Sequence, residues 1–510
     1  MPSLLSPNSG EQILLAVNDV CFFLLGGSAW IMVNGIYAQI PSIILFFDGD
    51  YGVVSKITLC VTLSALLPII GSVSCFATST LTKLCFKGSN CDSSGNNGYG
   101  SGNLLDNNNQ CSIHTGIALL LWLGFVVGLV LTVWTEQVLS RLVPLLVATI
   151  AGGIVGTTSS ILYYSHAAIT PNGAHNNGSL EANIAKRQTT AMLFGTAASN
   201  LFVAILAISE QEKQQQQEQP VDSSAATTNA MRTYFGTIAI LMGLAVLGFV
   251  GTIVIRRIAY TAPCSENSDK DDGISLPESS SLIKETFSQQ DSSCIAPSQS
   301  QSFHGPSSDQ LSFWETSSLN SVLNTAQCIL NILTFFLPGI VPYSVRDTSK
   351  DESYNAEALR YLVVSQLVAQ TLGVLASSIG CSSDGVPHFL NCHKRSGSDI
   401  DNTTVKYQLG CLFFLLWIPL VVLSFQPEMQ LGIGLPIFLN AALNFAYGYF
   451  NTKWFHLLAE RNCDRQDNED RDAPTSLAVR VMGTWHQIGA TIGSAIAFEL
   501  VQNGVLGQNR

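Results

Sequence analysis

The sequence predicts an all-α polytopic membrane protein with about eleven transmembrane helices in a six-plus-five arrangement, resting on three observations. Only 12% of the 510 residues are charged, against ~25% in ordinary soluble domains. Those charges are crowded between long apolar runs. One extended polar segment, 259–315, then divides the runs into two groups.

In chain order the apolar runs are 12–40, 54–80, 114–134, 142–165, 188–209, 232–256, 318–342, 356–380, 405–425, 431–458 and 476–501. Each is long enough, at ~1.5 Å per helical residue, to cross a hydrocarbon core ~30 Å thick. The fourth and tenth are diluted by Gly, Thr, Asn and Tyr, which suits helices lining a polar pathway and also suits close helix packing. The first run precedes the first basic residue, Lys56, and exceeds the length of a signal-peptide core. No small-residue cleavage site follows it, so a spanning helix is expected.

The segment 259–315 is dense in Ser, Gln and Asp and cannot bury enough apolar surface to fold. A disordered cytoplasmic linker is expected there, joining an N-terminal six-helix bundle (1–258) to a C-terminal five-helix bundle (316–510). The Asn/Gly/Ser-rich 88–112 and the Gln run 214–217 read as solvated loops.

Charge sets the expected orientation. With the N-terminus cytoplasmic, sixteen of the 24 Lys and Arg residues fall on the cytoplasmic side, a positive-inside bias. An odd number of helices then puts the C-terminus outside the cell. Two glycosylation tripeptides, at Asn177 and Asn402, land on cytoplasmic loops in this topology and would not be modified there. The net charge of −12 lies mainly in loops and no basic patch points to nucleic acid. The 13 cysteines show no metal-ligand spacing. Cys21, Cys60, Cys75, Cys328 and Cys411 fall within apolar runs, where free thiols behave as small apolar groups. Cys85, Cys91, Cys111, Cys381, Cys392 and Cys463 fall in loops expected to be cytoplasmic and reduced.

Ionisable groups inside the runs are few. Asp19 and Glu499 lie toward run ends, His166 at the end of the fourth, and His486 deeper in the last. Intramembrane carboxylates or lysines usually serve ion-coupled transporters. With no mid-span acidic pair and no Arg placed to clamp an anion, a polar but neutral solute is the better expectation. His486 offers weak pH dependence or a simple hydrogen bond to backbone. No HExxH, GxSxG, P-loop or paired intramembrane aspartates are present, so no enzyme and no cofactor are expected. Asp48-Gly49-Asp50 reads as a turn.

The first run carries the most informative pattern. Trp30, Asn34 and Tyr37 recur at i, i+4 and i+7 and share a face if the helix is continuous. An amide between two aromatics in mid-membrane must find a partner, whether a neighbouring helix, water or a ligand. In the last run Gly489, Gly493 and Ala497 form a small-residue ridge for a close backbone approach, with Gln487 beside it.

Gly27-Ser28-Ala29-Trp30, Asn34-Gly35-Ile36 and Pro41 together resemble the first-helix signature of the eukaryotic riboflavin transporter family. Further segments match in order: Thr158-Ser159-Ser160, Phe194-Gly195 with Ser199 and Leu201, Asn331-Ile332-Leu333-Thr334, Leu337-Pro338, Tyr343-Ser344, and Gln487 with Gly489 and Gly493. The resemblance covers nearly the whole chain. It departs at Gln39, where the family has Glu, and at Tyr37, where it has Trp. It departs again at Thr196-Ala197, at Phe335 in place of Asn, and at Tyr449-Phe450-Asn451 before Lys453.

The resemblance implies a fold like the major facilitator and equilibrative nucleoside carriers, rocking about a central site. It implies facilitative or weakly pH-dependent transport of riboflavin by a monomer in the plasma membrane, with the lipid bilayer as its other partner. The site it implies takes Trp30 and Tyr37 for stacking and Asn34, Thr158, Asn331 and Gln487 for polar contacts. Thr334 and Ser160 come next, and Gln39 is the place where substrate or coupling would differ. A carrier for another neutral aromatic solute such as a nucleoside, and a non-transporting receptor or sensor, are the alternatives.

Overall fold

A computed structural model describes residues 9–47, 49–70, 102–167, 178–216, 223–261, 313–347, 349–350, 352–380, 402–426, 432–466 and 475–505. The expected linker at 259–315 falls almost wholly outside the described residues, as do Cys75, Cys85, Cys91, Cys381, Cys392 and Asn177. So does most of 88–112. The side chains of Cys111, Ser160, Asn402 and Cys463 are likewise outside the description.

Every regular element described is helical. In order these are α1 (Ser9–Gly27), α2 (Ile31–Ala38), α3 (Ile40–Phe46), α4 (Gly52–Leu63), α5 (Gly102–Val133) and α6 (Thr135–Leu139). There follow α7 (Leu142–Ala167), α8 (Gly178–Gln216), α9 (Ser223–Thr261), α10 (Phe313–Leu319) and α11 (Ser321–Ile340), which runs into a 3₁₀ turn at Val341–Val345. The remainder are α12 (Glu352–Gly380), α13 (Asn402–Leu412), a π-helical stretch at Phe413–Trp417, α14 (Ile418–Phe425), α15 (Gly434–Gln466) and α16 (Thr475–Gln502).

Among the described residues, eight helices are long and apolar enough to cross a membrane, and nine if α1 and α2 count as one bent span. Large apolar side chains such as Leu119, Trp122, Val143, Val147, Ile240, Leu247, Phe414 and Phe438 face outward. Aqueous solvent would penalise such a surface and lipid would not. The chain is an integral membrane protein. Helices α15 and α16, with 33 and 28 residues, have ample length to span but too polar a composition to qualify. Their amides and histidines (Asn440, Asn444, His456, His486, Gln487) are turned inward and buried.

Two sets of helices pack chiefly within themselves. In the first half α1 lies on α8 and α9, α5 on α9 and α7, and α4 on α7. In the second half α11 lies on α16 and α12 on α15. Contacts between the sets run through α4 and α7 against α16, and through α8 against α12 and α15.

The tightest crossings are made where a side chain is missing. A Cβ on Gly489 or Gly493 would stand 2.2 or 2.3 Å from the carbonyl oxygens of Cys328 and Ile332, so the expected ridge does receive the α11 backbone. The same device brings α12 onto α15, with Gly373 against Phe445 O and Gly448 against Gln370 O.

Candidate binding cleft between the two helix sets

The first span is not one continuous helix. It breaks at Ser28–Trp30, and its two parts meet at 45°. A break inside a membrane exposes carbonyls that no water can satisfy, so a local turn or other helices must supply donors. Thr196 Oγ1 donates to Gly26 O at 2.9 Å, Ser28 Oγ to Leu25 O at 2.7 Å, and Ser159 Oγ to Ala29 O at 3.3 Å. Two sequence features thereby gain a physical role. Ser159, at the centre of the Thr-Ser-Ser segment, serves the break, and so does Thr196 at a family departure.

Because of the break, Trp30 caps α2 instead of lying within a helix. The expected spacing still holds in an informative way. From Trp30 to Ile44 only Trp30, Asn34 and Tyr37 are half-buried, and all the others are buried. A helix deep in the molecule with one relieved face is facing internal space.

That space is a narrow cleft with a cavity volume of about 30 Å³. One wall is Asn34, Tyr37, Ile40 and Val54 from the first half. Pro338, Val341 and Pro342, then Leu359, Leu362, Val363, Gln366 and Leu367 of α12, and Asn440 of α15 form the other. Pro338 lies inside α11, where it removes a backbone donor, and Pro342 opens the 3₁₀ turn. The two prolines therefore shape this wall where the helix changes its winding.

Among the described residues no charged side chain lines the cleft; the polar groups they bring to it are three amides and one phenol. Asn34 Nδ2 donates to Asn200 Oδ1, which orients the Asn34 amide from α8. Asn440 is committed twice, donating to Leu362 O at 3.3 Å and accepting from Asn444 Nδ2 at 3.1 Å.

Aromatic pairs join the two walls at either end. Trp30 meets Phe335 with ring centroids 5.9 Å apart, and Phe335 in turn meets Tyr447 and His486. At the other end Tyr51 meets Tyr343, also at 5.9 Å, and the Arg346 guanidinium sits 5.2 Å from the Tyr51 ring. Beyond Trp30 the halves also touch through the stacked rings of Tyr164 and Phe455 and through Thr190 and His456.

The other expected site residues fall outside the cleft lining. Gln39 is buried at the α2–α3 junction, and Thr158 lies half-buried on α7. Asn331 is fully buried, donating to Gln327 O at 2.7 Å and accepting from the Tyr447 hydroxyl at 3.3 Å. Thr334 is buried with its hydroxyl on Leu330 O, and Gln487 is fully buried. Asn331 belongs to a polar lock beneath the Trp30–Phe335 pair. There Gln327 Nε2 bonds both Asn451 Oδ1 and His486 Nδ1, tying α11 to α15 and α16. His486 therefore acts as an acceptor within packed protein, and its ring is held by Gln327.

Sequence reasoning missed Gln366, Asn440 and Asn200. Each is an amide inside an apolar run, the same signal that singled out Asn34. Asn200 even sits between the matched residues Ser199 and Leu201.

No protein-family model matches the chain, and no curated protein matches it. Solved structures do align along its length. A variant of the fucose:proton symporter FucP of E. coli aligns at 13% identity and TM-score 0.40, covering 97% of this chain and 98% of that one. FucP in the outward conformation, described as a Major Facilitator Superfamily transporter, aligns at 12% identity and TM-score 0.40, with 96% and 97% covered. A bacterial homolog of the human lysosomal transporter Spinster aligns at 10% identity and TM-score 0.35, with 99% of each chain covered. Likenesses this loose say nothing of what the chain carries.

Proposed function

We propose that this protein is a membrane transporter for a neutral, planar aromatic solute, moved by alternating access, and that the solute is riboflavin. The observation that carries the proposal is the uncharged cleft between two helix sets, bracketed at both ends by aromatic pairs drawn from opposite sets. A solute held there is touched by both halves, so rocking one half against the other exposes it to each side in turn. Tyr37 supplies a stacking face, Asn34 and Gln366 supply hydrogen-bonding groups, and the proline and leucine wall covers the ring. Trp30 and Phe335 close one end. Asn331, Thr334 and Gln487 stiffen the wall behind them. Riboflavin, neutral and rich in donors and acceptors along a flat ring, suits such a cleft, and the first-helix resemblance points the same way. The charge bias supports a cytoplasmic N-terminus, and a vitamin carrier of this kind would serve the plasma membrane.

Alternating access requires the Tyr51–Tyr343 end to open. With cysteines at both positions, a short reducible bifunctional thiol reagent should cut uptake of labelled riboflavin at least fivefold. Reduction should restore it, while the parent and each single-cysteine variant stay unaffected. Efficient cross-linking with unchanged uptake would count against gating at this end.

A further inference from the structure

We infer that Gln366 is the residue that selects the solute, by pairing with an adjacent N–H and C=O on the edge of a planar heterocycle. This rests on the transport reading above and sharpens it to a substrate class. Gln366 projects into the cleft from the apolar stretch of α12 that contributes Leu359, Leu362, Val363 and Leu367. It is half-buried, and its amide makes no hydrogen bond among the described residues. Asn440, the other amide on that wall, has both its donor and its acceptor committed within the fold.

An uncommitted carboxamide set in an apolar wall is costly unless something enters to use it. The opposite wall carries polar groups too. The Tyr37 hydroxyl is buried beside Thr58, whose own hydroxyl donates to Val54 O at 3.0 Å and keeps its acceptor side toward the phenol. Asn34 spends its Nδ2 on Asn200 and keeps its carbonyl oxygen.

A primary carboxamide holds one acceptor and one donor side by side in a plane. Its natural complement is a cis-amide or imide edge, which it meets with two parallel hydrogen bonds. A carboxylate edge would put a charge beside an acceptor with no cation in the lining, and a hydroxyl would use half of the amide. The flat wall of Pro342 and Val363 and the Tyr37 ring suit the body of such a heterocycle. A site built this way rejects an analogue that lacks the bonded group more strongly than it rejects a change of apolar bulk.

The test compares labelled riboflavin with its N3-methyl derivative, in which the imide N–H is blocked. Uptake is measured in transport-deficient cells for the parent, Gln366→Leu and Gln366→Met at matched surface amounts. The parent should favour riboflavin at least tenfold. Both variants should favour it less than twofold while still carrying the methylated compound. An undiminished preference in the variants overturns the inference alone. So does loss of both compounds in both variants, because a side chain that makes no bond in the fold should tolerate an apolar replacement of similar size. A parent that carries neither flavin overturns the transport reading, and this inference with it.

Discussion

Gly195→Ala is expected to leave little correctly folded protein in the membrane. A Cβ at this position would stand 1.9 Å from Phe23 O, 2.8 Å from Phe23 C and 2.9 Å from Gly27 N. All three are backbone atoms, so no side chain can rotate to make room. Helix α8 would have to move away from α1. Gly26 is the reciprocal position, its Cβ meeting Met192 O at 2.0 Å. Overpacking commonly costs about 1–3 kcal/mol where flexible side chains can yield, and a backbone collision lies at the upper end or beyond. Separation would also pull Thr196 from Gly26 O, leaving that carbonyl with only its 3.1 Å turn bond from Ala29 N. Size-exclusion chromatography of detergent extracts should show the monodisperse fraction falling several-fold. Gly27→Ala is the contrast, since its nearest neighbour, Gly195 O, stands at an ordinary 3.6 Å. Equal yields from both variants would show that this crossing is looser than described.

Trp30→Ala is the second large effect. It should lower uptake at least tenfold while the surface amount stays within about twofold of the parent, a difference of about 1.4 kcal/mol or more. The indole is half-buried at the break, with its ring against Phe335 and its Cε3 atom within 3.3 Å of where a Gly156 Cβ would stand. Removing it opens one end of the cleft and takes away the ring that Phe335 meets from the first half. Phe335→Ala should act similarly, and the double variant should be no worse than either single one, because both remove the same contact. Trp30→Phe should keep most of the uptake. Transport normalised to surface biotinylation decides the matter, and additive losses would mean that the two rings work separately.

Much of the fold can be read from the sequence because membrane helices satisfy their own backbones, which reduces the problem to counting apolar runs. What stayed hidden follows from the same rule. The break at Ser28–Trp30 leaves no local trace beyond two glycines, since its carbonyls combine local turn bonds from Ser28 and Ala29 with donors from distant runs, Thr196 and Ser159. The face formed by Trp30, Asn34 and Tyr37 was legible, and it is the relieved face of α2. Asn331 and Gln487 were equally conspicuous as buried amides, yet the structure packs them behind the cleft wall. Composition marks a polar group inside a membrane but does not say whether it faces a neighbouring helix or a cavity. Gln366 escaped notice because its run carries several polar residues and only the packing of α12 turns that one toward Asn34 and Tyr37.

Labelled riboflavin uptake in transport-deficient cells, with unlabelled nucleosides as competitors, tests the central claim most directly. Saturable uptake is predicted, with nucleosides in hundredfold excess leaving it unchanged. Asn34→Ala and Tyr37→Ala should each reduce it at least fivefold at normal surface amounts. Full competition by nucleosides would reassign the solute, and binding without uptake would make the protein a sensor. Parental transport in both cleft variants would contradict the cleft itself.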